Sequence, residues 1–282
     1  MLKHDETSCS DNSGRLGRRG KRAAIYRIIL PQIVKLIRRR QGYHLAPRVL
    51  RLGRGRIIKY GSAAILAEAQ ALDYVSRNTS IPVPETITAF QSQEGITYIL
   101  MKRCPGIPLC NAFSKLSVVE KQNILQQLRG YMNELRALKP PKPGQVGSAC
   151  YGLLEDERIQ TSPCGPFDSV ADFHRALRGG ITGPIGHEEC DHMIAAQDRR
   201  DYEIKFTHGD LSFRNIIYND GKITGIVDWE SAGWFPDYWE YTMTWDSFWD
   251  NRELRDEIPA FLDPFPAELE MERTRWRLFV GW

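Results

Sequence analysis

The chain has 282 residues, 42% hydrophobic and 26% charged, a size and balance that allow one large domain or two lobes around a sizeable core. No apolar run is long enough to cross a membrane, and no apolar stretch precedes a cleavage site near the N-terminus, which disfavours membrane-spanning and secreted classes. Six cysteines, at 9, 104, 110, 150, 164 and 190, form no Cys-x-x-Cys pair and no zinc-like spacing with His, so free thiols in a reducing, cytoplasmic setting are expected.

The net charge of +3 hides an asymmetry: residues 1–60 hold 16 of the 38 Lys/Arg but 3 of the 35 Asp/Glu, leaving 22 against 32 in the remainder. Residues 1–23 read as a disordered basic tail. Residues 24–41 read as an amphipathic helix, with Ile25, Ile28, Ile29, Ile33, Leu36 and Ile37 at helical spacing and Arg38-Arg39-Arg40 at its end. Packing of that face on the following lobe is expected, with contact of 24–40 with an anionic membrane surface as the alternative. Pro31 is expected to bend or split the helix.

Residues 42–101 read as a small β-rich lobe. Arg56-Ile57-Ile58-Lys59-Tyr60 and Thr97-Tyr98-Ile99-Leu100-Met101 are strand-like, and 64–78 is helical, with Ile65, Ala69 and Leu72 at i, i+4 and i+7. Ser80-Ile81-Pro82-Val83-Pro84 then sets an extended turn. Residues 102–108, with two prolines and a glycine, read as a hinge, and 109–282 as a larger lobe. There Ser117-Val118-Val119-Glu120 is a capping box ahead of Ile124, Leu128, Tyr131, Leu135 and Leu138, a long core helix that Pro140, Pro141, Pro143 and Gly144 stop. Between 144 and 205 only a short helix near 170–178 and a loop over 179–186 are legible. The chain ends at Trp282 without a polar tail, and an incomplete last helix is expected there.

The densest chemistry lies in His208-Gly209-Asp210-Leu211-Ser212-Phe213-Arg214-Asn215, followed by Ile226-Val227-Asp228-Trp229. One carboxylate able to take a hydroxyl proton, with an amide oxygen and a second carboxylate able to hold Mg²⁺ on a nucleoside triphosphate, are the parts of a phosphoryl-transfer site. Ile216-Ile217-Tyr218 and Ile223-Thr224-Gly225-Ile226-Val227 are β-prone, and Asp220-Gly221 between them is a hairpin signal. A two-residue turn there sets Tyr218 opposite Ile223 and Asn215 opposite Ile226. Asp228 then returns to Asn215's face of the sheet, at about 7–8 Å for diagonal neighbours. Asp210 enters on the adjoining loop. His208 is expected to bond the loop backbone, and Gly209 to permit an unusual backbone angle.

The run from Phe206-Thr207-His208-Gly209-Asp210-Leu211 to Asp228-Trp229-Glu230-Ser231-Ala232-Gly233-Trp234-Phe235-Pro236-Asp237-Tyr238-Trp239-Glu240-Tyr241 resembles the aminoglycoside phosphotransferase / choline kinase-like family. The likeness covers roughly residues 45–250. It implies an α+β fold of two lobes, like that of protein kinases. The chain departs from protein kinases themselves, with Asp228-Trp229-Glu230 where they carry Asp-Phe-Gly, Gly209 in place of Arg, and no Ala-Pro-Glu thereafter.

The resemblance gives other residues an expected role. Glu68 shares the buried helix face of Ile65 and Leu72, where a carboxylate needs a partner. In the kinase-like fold that partner is a strand lysine, here Lys59, which orients the nucleotide's phosphates. Gly53 and Gly55 offer backbone that could approach phosphates, although the longer glycine pattern is missing. Met101 and Arg103 fall in the hinge segment that would bind the purine, with ATP expected and GTP not distinguishable. Glu230 and Asp237, amid Trp and Tyr, suit a cationic substrate group. The expected activity is ATP- and Mg²⁺-dependent phosphorylation of a small-molecule hydroxyl, conceivably on an amine-bearing alcohol, with Asp210 as base, Asn215 and Asp228 on the metal, and no nucleic acid partner. An inactive nucleotide-binding or scaffold module, and a protein kinase, are the alternatives.

Overall fold

The computed structural model describes residues 16–17, 21–41, 48–53, 55–61, 64–156, 158–159, 163–199, 202–248 and 252–280. In chain order the small lobe contains strand β1 (Leu16–Gly17), helix α1 (Lys21–Gln41), β2 (Val49–Leu52), β3 (Arg56–Gly61), α2 (Ala64–Asn78), β4 (Thr86–Gln91) and β5 (Thr97–Lys102). The strands form one sheet in the order β1-β4-β5-β3-β2, antiparallel at every described pairing. Every β5 residue from Thr97 to Met101 is buried because a helix covers each sheet face. Side chains alternate with period two. Tyr98 and Leu100 join Ile58, Tyr60 and Phe90 against Leu30 and Val34 of α1. Ile99 and Met101 point the other way, to Ala69 of α2. Lys59 is opposite Ile99 in the ladder, so the same alternation aims it at α2.

Three expectations change here. Leu16–Gly17, placed in a disordered tail by composition, pairs with β4. The helix expected over 24–41 starts at Lys21 and runs unbroken through Pro31. Its buried residues are Leu30 and Val34, flanked by Tyr26, Ile33 and Ile37, whereas Ile25, Ile28, Ile29 and Leu36 are exposed. Two apolar stripes share this helix, and the sequence pattern alone merges them.

The hinge leads through β6 (Ile107–Pro108) to α3 (Val118–Ala137), β7 (Gly147–Ser148), α4 (Val170–Leu177) and α5 (Glu188–Gln197). Next come β8 (Ile204–Thr207), β9 (Ile216–Asn219), β10 (Lys222–Ile226), β11 (Gly233–Pro236), α6 (Trp239–Ser247), α7 (Arg252–Asp256), α8 (Ile258–Phe261) and α9 (Pro266–Arg275). The capping box of α3 is complete: Ser117 accepts from Glu120 N–H and Glu120 accepts from Ser117 N–H. The helix buries Ile124, Leu125, Leu128, Met132 and Leu135 in the large core. Ser169 likewise caps α4 by accepting from Asp172 N–H. The sequence reading missed α5, whose start is capped by His187, an uncommon residue for that position.

Two three-stranded sheets, β10-β9-β6 and β7-β11-β8, meet in this lobe. Around them Trp229, Trp234 and Trp239 are fully buried. A buried ionic cluster anchors α9: Arg275 pairs with Glu272 and donates to Arg158 O, while Arg158 pairs with Asp156 and lies over the Trp239 ring. Cys104, Cys110, Cys164 and Cys190 are free thiols.

Candidate active site

The hairpin that carries the site closes on Asp220 and Gly221, with φ of 47° and 81°. Positive φ at both centres is what a type I′ hairpin turn requires. Tyr218 is opposite Ile223 as expected, but a bulge between Ile223 and Gly225 shifts the register, so Ile226 faces Ile216 and not Asn215. The hinge explains the shift. Thr224 donates to Ile217 O at 3.2 Å and also to Pro105 O, while a Cβ on Gly225 would lie 2.4 Å from Cys104 Sγ. Asn215 instead accepts from Val227 N–H at 2.8 Å, next to Asp228. Asp228 has φ 69°, a left-handed conformation that Asp tolerates better than most residues.

The loop before the hairpin is tightly bonded. His208 Nε2 contacts Val227 O at 3.0 Å, and His208 Nδ1 accepts from Asp210 N–H at 3.1 Å. These bonds fix the neutral Nε2–H tautomer, and burial depresses the pKa of this imidazole in the same direction. Gly209 has φ 83°, and a Cβ there would lie 2.3 Å from Ser231 O, so glycine is required. Asn215 Nδ2 donates to Asp210 O and Asp210 Oδ2, both at 2.8 Å, which leaves its Oδ1 as the amide's acceptor. Burial pushes the Asp210 carboxyl up to about 6; Asn215 and Arg214 oppose this, and Asp228 and Asp156 add to it.

On the small-lobe side, Lys59 Nζ lies 2.8 Å from Glu68 and 3.1 Å from Glu230 and also contacts Asp228. Burial pulls the Lys59 pKa down, but Glu68, Asp228 and Glu230 overcome this and keep the ammonium charged. Burial pushes Glu68 up while Lys59 opposes it, and with Lys59 held protonated the two form a buried ion pair. Carboxylate oxygens of Glu68, Asp228 and Glu230 lie within 4.8 Å of one another. Glu68 is committed to Lys59, whereas the Asp228 and Glu230 side chains are 39% and 34% exposed. Asp228 and Glu230 are therefore the more open carboxylates of the cluster, and all-oxygen donors of this kind are the type that Mg²⁺ takes.

A cavity opens beside this cluster, lined by Val49, Ile57, Met101, Cys104, Ile217 and Val227, with Lys59 and Asp228 on its wall. Met101 and Arg103 line it as the hinge reading expects. Lys102 and Arg103 N–H groups, however, donate to Glu85 O and Gly55 O, and Pro105 has none, which narrows the hinge donors to Cys104 and Gly106.

Gly53, Gly55 and Asp237 are not brought to the cluster, whereas Glu230 is. Gly53 and Gly55 sit in the β2–β3 turn, where Gly55 O accepts from Arg103 N–H, so this turn borders the hinge. Lys59 is four residues further along β3, about 13 Å at the usual strand rise. Val49 is the β2 residue opposite Lys59. Glu230, expected at a cationic substrate group, contacts Lys59 at 3.1 Å. Asp237 follows the end of β11 that pairs with Ile204, while the other end, at Gly233, pairs with Thr207 beside the catalytic loop; its carbonyl accepts from Arg136.

One site residue went unassigned from sequence. Glu240, fully buried at the start of α6, accepts from His208 N–H and, at 3.2 Å, from Gly209 N–H. A lone acid among Trp and Tyr at a helix start was the available signal, but nothing local says that its partners lie some thirty residues away.

Comparison with known proteins bears on the family and the fold. A model of the phosphotransferase enzyme family matches residues 37–277. Hygromycin-B 4-O-kinase of Escherichia coli is 22% identical over 186 residues, 64% of this chain and 52% of its own, so the chain spans about half the length of the curated relative it matches. A thermostable mutant of aminoglycoside phosphotransferase APH(4)-Ia, solved with AMP-PNP and hygromycin B, superposes with TM-score 0.51 at 17% identity, covering 80% of this chain and 78% of that one. Another, with ADP and hygromycin B, gives TM-score 0.52 at 15% identity, covering 86% and 88%. At such identities the solved structures establish the α+β kinase-like fold. Because the family model spans most of the sequence and the fold agrees with it, this chain belongs to the phosphotransferase enzyme family.

Proposed function

We propose that the protein transfers the terminal phosphoryl group of ATP to a hydroxyl of a small molecule, with Asp210 as general base. The observation that carries this reading is Lys59, which contacts Glu68 of the small lobe and Asp228 of the large one at once, next to the loop that bonds Asp210 to Asn215. In this reading Lys59 orients phosphates, and Asp228, Asn215 and Glu230 hold Mg²⁺. When bound, the ion would offset the charge on the transferring phosphoryl group. Asp210, with a pKa of about 6, is ionised at neutral pH yet basic enough to take a hydroxyl proton. Asn215 Nδ2 holds one of its oxygens in place, and Glu240 and His208 hold the loop. The remaining catalytic contribution is positioning and charge stabilisation.

The acceptor class rests on relatives, one of which is named for hygromycin B. Amine-bearing alcohols therefore head the panel. The test is ATP consumption over a panel of hydroxylated aminoglycosides, aminoalcohols, sugars and amino acids, beside Asp210→Ala. Turnover with one class, lowered by about 10²–10⁴-fold in the variant, supports the assignment. A variant as active as the parent on the acceptor found would remove Asp210 from the mechanism.

A further inference from the structure

Helix α1 is apolar on two opposite faces. Leu30 and Val34 lie against the small-lobe sheet. On the other side Ile25, Ile28, Ile29 and Leu36 are 51%, 71%, 45% and 53% exposed. Their spacing of 0, 3, 4 and 11 residues places them in one arc at 3.6 residues per turn, with the polar Gln32 between them. Four large aliphatic side chains in one stripe, interrupted by Gln32, form an apolar ridge, unlike the scattered exposed hydrophobics normal on a protein surface.

The charge of the helix is equally one-sided. Lys21–Gln41 contains seven Lys/Arg and no Asp or Glu; Lys35 and Arg39 are exposed, and Arg27 lies over the Phe90 ring of the sheet. A helix built only to pack on the lobe needs neither the outer ridge nor a wholly cationic complement. A surface that offers both apolar depth and negative charge matches both: the interface of an anionic phospholipid bilayer. Aliphatic side chains there enter the acyl boundary, while Lys and Arg reach the headgroups at about 1 kcal/mol each. At 21 residues with seven charges the helix would lie in the interface plane, and no described helix is long and apolar enough to cross a membrane.

We infer that the outer face of α1, through Ile25, Ile28, Ile29 and Leu36 with its basic residues, docks the protein peripherally on anionic lipid. The inner face keeps α1 on the small lobe, so docking would bring the nucleotide lobe to the surface without rearranging the fold. The docking surface is separate from the phosphoryl-transfer site and does not depend on its chemistry.

The test is sedimentation of the full chain with phosphatidylcholine vesicles, with and without phosphatidylserine, at low and high salt. Binding is expected only with phosphatidylserine, to weaken as salt rises, and to fall by about tenfold or more in Ile25→Ser/Ile28→Ser, as the loss of two buried aliphatic side chains requires. Both positions face solvent, so the variant should keep the parent's melting temperature; Ile28→Asp alone is the second variant should the double one melt lower. No binding to either vesicle, equal binding to both, or binding unchanged in both variants would overturn the proposal. So would a parent that is dimeric by light scattering and made monomeric by Ile28→Asp, since a second copy would then cover the ridge.

Discussion

Replacing Asp210 by Asn should stabilise the nucleotide-free protein while removing most of its activity. Folding raises the Asp210 pKa from 3.8 to about 6, chiefly through burial. One pKa step corresponds to about 1.4 kcal/mol, so an ionised Asp210 costs the native state at most about 3 kcal/mol at neutral pH. Partial solvent access lowers this to about 1–3 kcal/mol. Asparagine removes the charge and keeps an oxygen for Asn215 Nδ2. The sign follows from linkage. Below pH 3.8 both states hold the proton and there is no penalty; between 3.8 and about 6 the unfolded chain loses it first, and above about 6 the penalty is complete. The gain should therefore be full near pH 7.5 and shrink to about 1 kcal/mol or less near pH 4.5. Thermal unfolding of both proteins at the two pH values reads this directly, at about 2–4 °C per kcal/mol for a chain of this size. Nucleotide binding should persist. A variant less stable than the parent at pH 7.5, or one whose gain is as large at pH 4.5, would refute the reasoning.

Glu240→Ala removes the acceptor for two backbone N–H groups of the catalytic loop; it should cost about 2–4 kcal/mol in urea unfolding and lower kcat more than it raises the nucleotide KM, with Glu240→Gln recovering part of both. Lys59→Met leaves Glu68 buried without its cation and should cost about 3–5 kcal/mol, most of it regained in Lys59→Met/Glu68→Leu; an unchanged midpoint in the single variant would show that the pair is not ionised. Asp228→Ala should abolish the magnesium-dependent nucleotide shift in melting temperature and Asn215→Ala should only reduce it, because one ligand is charged and the other neutral; equal, parent-like shifts would remove both from the metal site. Arg214 lowers the Asp210 pKa, so Arg214→Ala should move the acid limb of the kcat/KM profile to higher pH and Arg214→Glu should move it further, less so at high salt; an identical limb in all three proteins would show that this charge does not reach Asp210.

The parts of the site carried by local pattern were legible in the sequence. Asp220-Gly221 announced the turn, and the capping box at Ser117 announced α3. Helical spacing put Glu68 on the buried face of α2, and the resemblance to the kinase-like fold named Lys59 as its partner, which the structure brings to 2.8 Å. Long-range contacts, where one part of the chain answers another, were not legible. The bulge at Thr224 exists because the hinge carbonyl of Pro105 and the thiol of Cys104 lie against β10. Gly53 and Gly55 looked like phosphate-binding glycines, yet which end of β3 faces the hinge depends on pairing with β5, and that pairing puts Arg56 opposite Lys102. Glu230 and Asp237 shared an acidic, aromatic segment, but β11 carries Asp237 away from the cluster that Glu230 joins. The two faces of α1 merged in the periodicity because both are aliphatic.

The geometry around Asp228 shows how remote supports can set one side chain. Its left-handed backbone carries a strain of order 1 kcal/mol that the neighbouring bonds must offset. Those bonds come from both lobes. Val227 N–H donates to Asn215 O, and Val227 O meets His208 Nε2, which ties Asp228 to the catalytic loop. Ile226 N–H donates to Pro82 O at 2.7 Å, reaching the segment between α2 and β4, and Trp229 Nε1 closes back on Ile226 O at 2.8 Å. Asp228 therefore emerges from a frame fixed on both sides, and Lys59, reaching across from β3, adds the last contact. Asp210 has a different support, since Glu240 in α6 holds the backbone two residues before it. The carboxylate assigned to the acceptor is thus positioned by the large-lobe core alone, and the carboxylate assigned to the metal by both lobes. The described side-chain contact of this network with the small lobe thus runs through Asp228 and Lys59, while Asp210 is held within the large lobe.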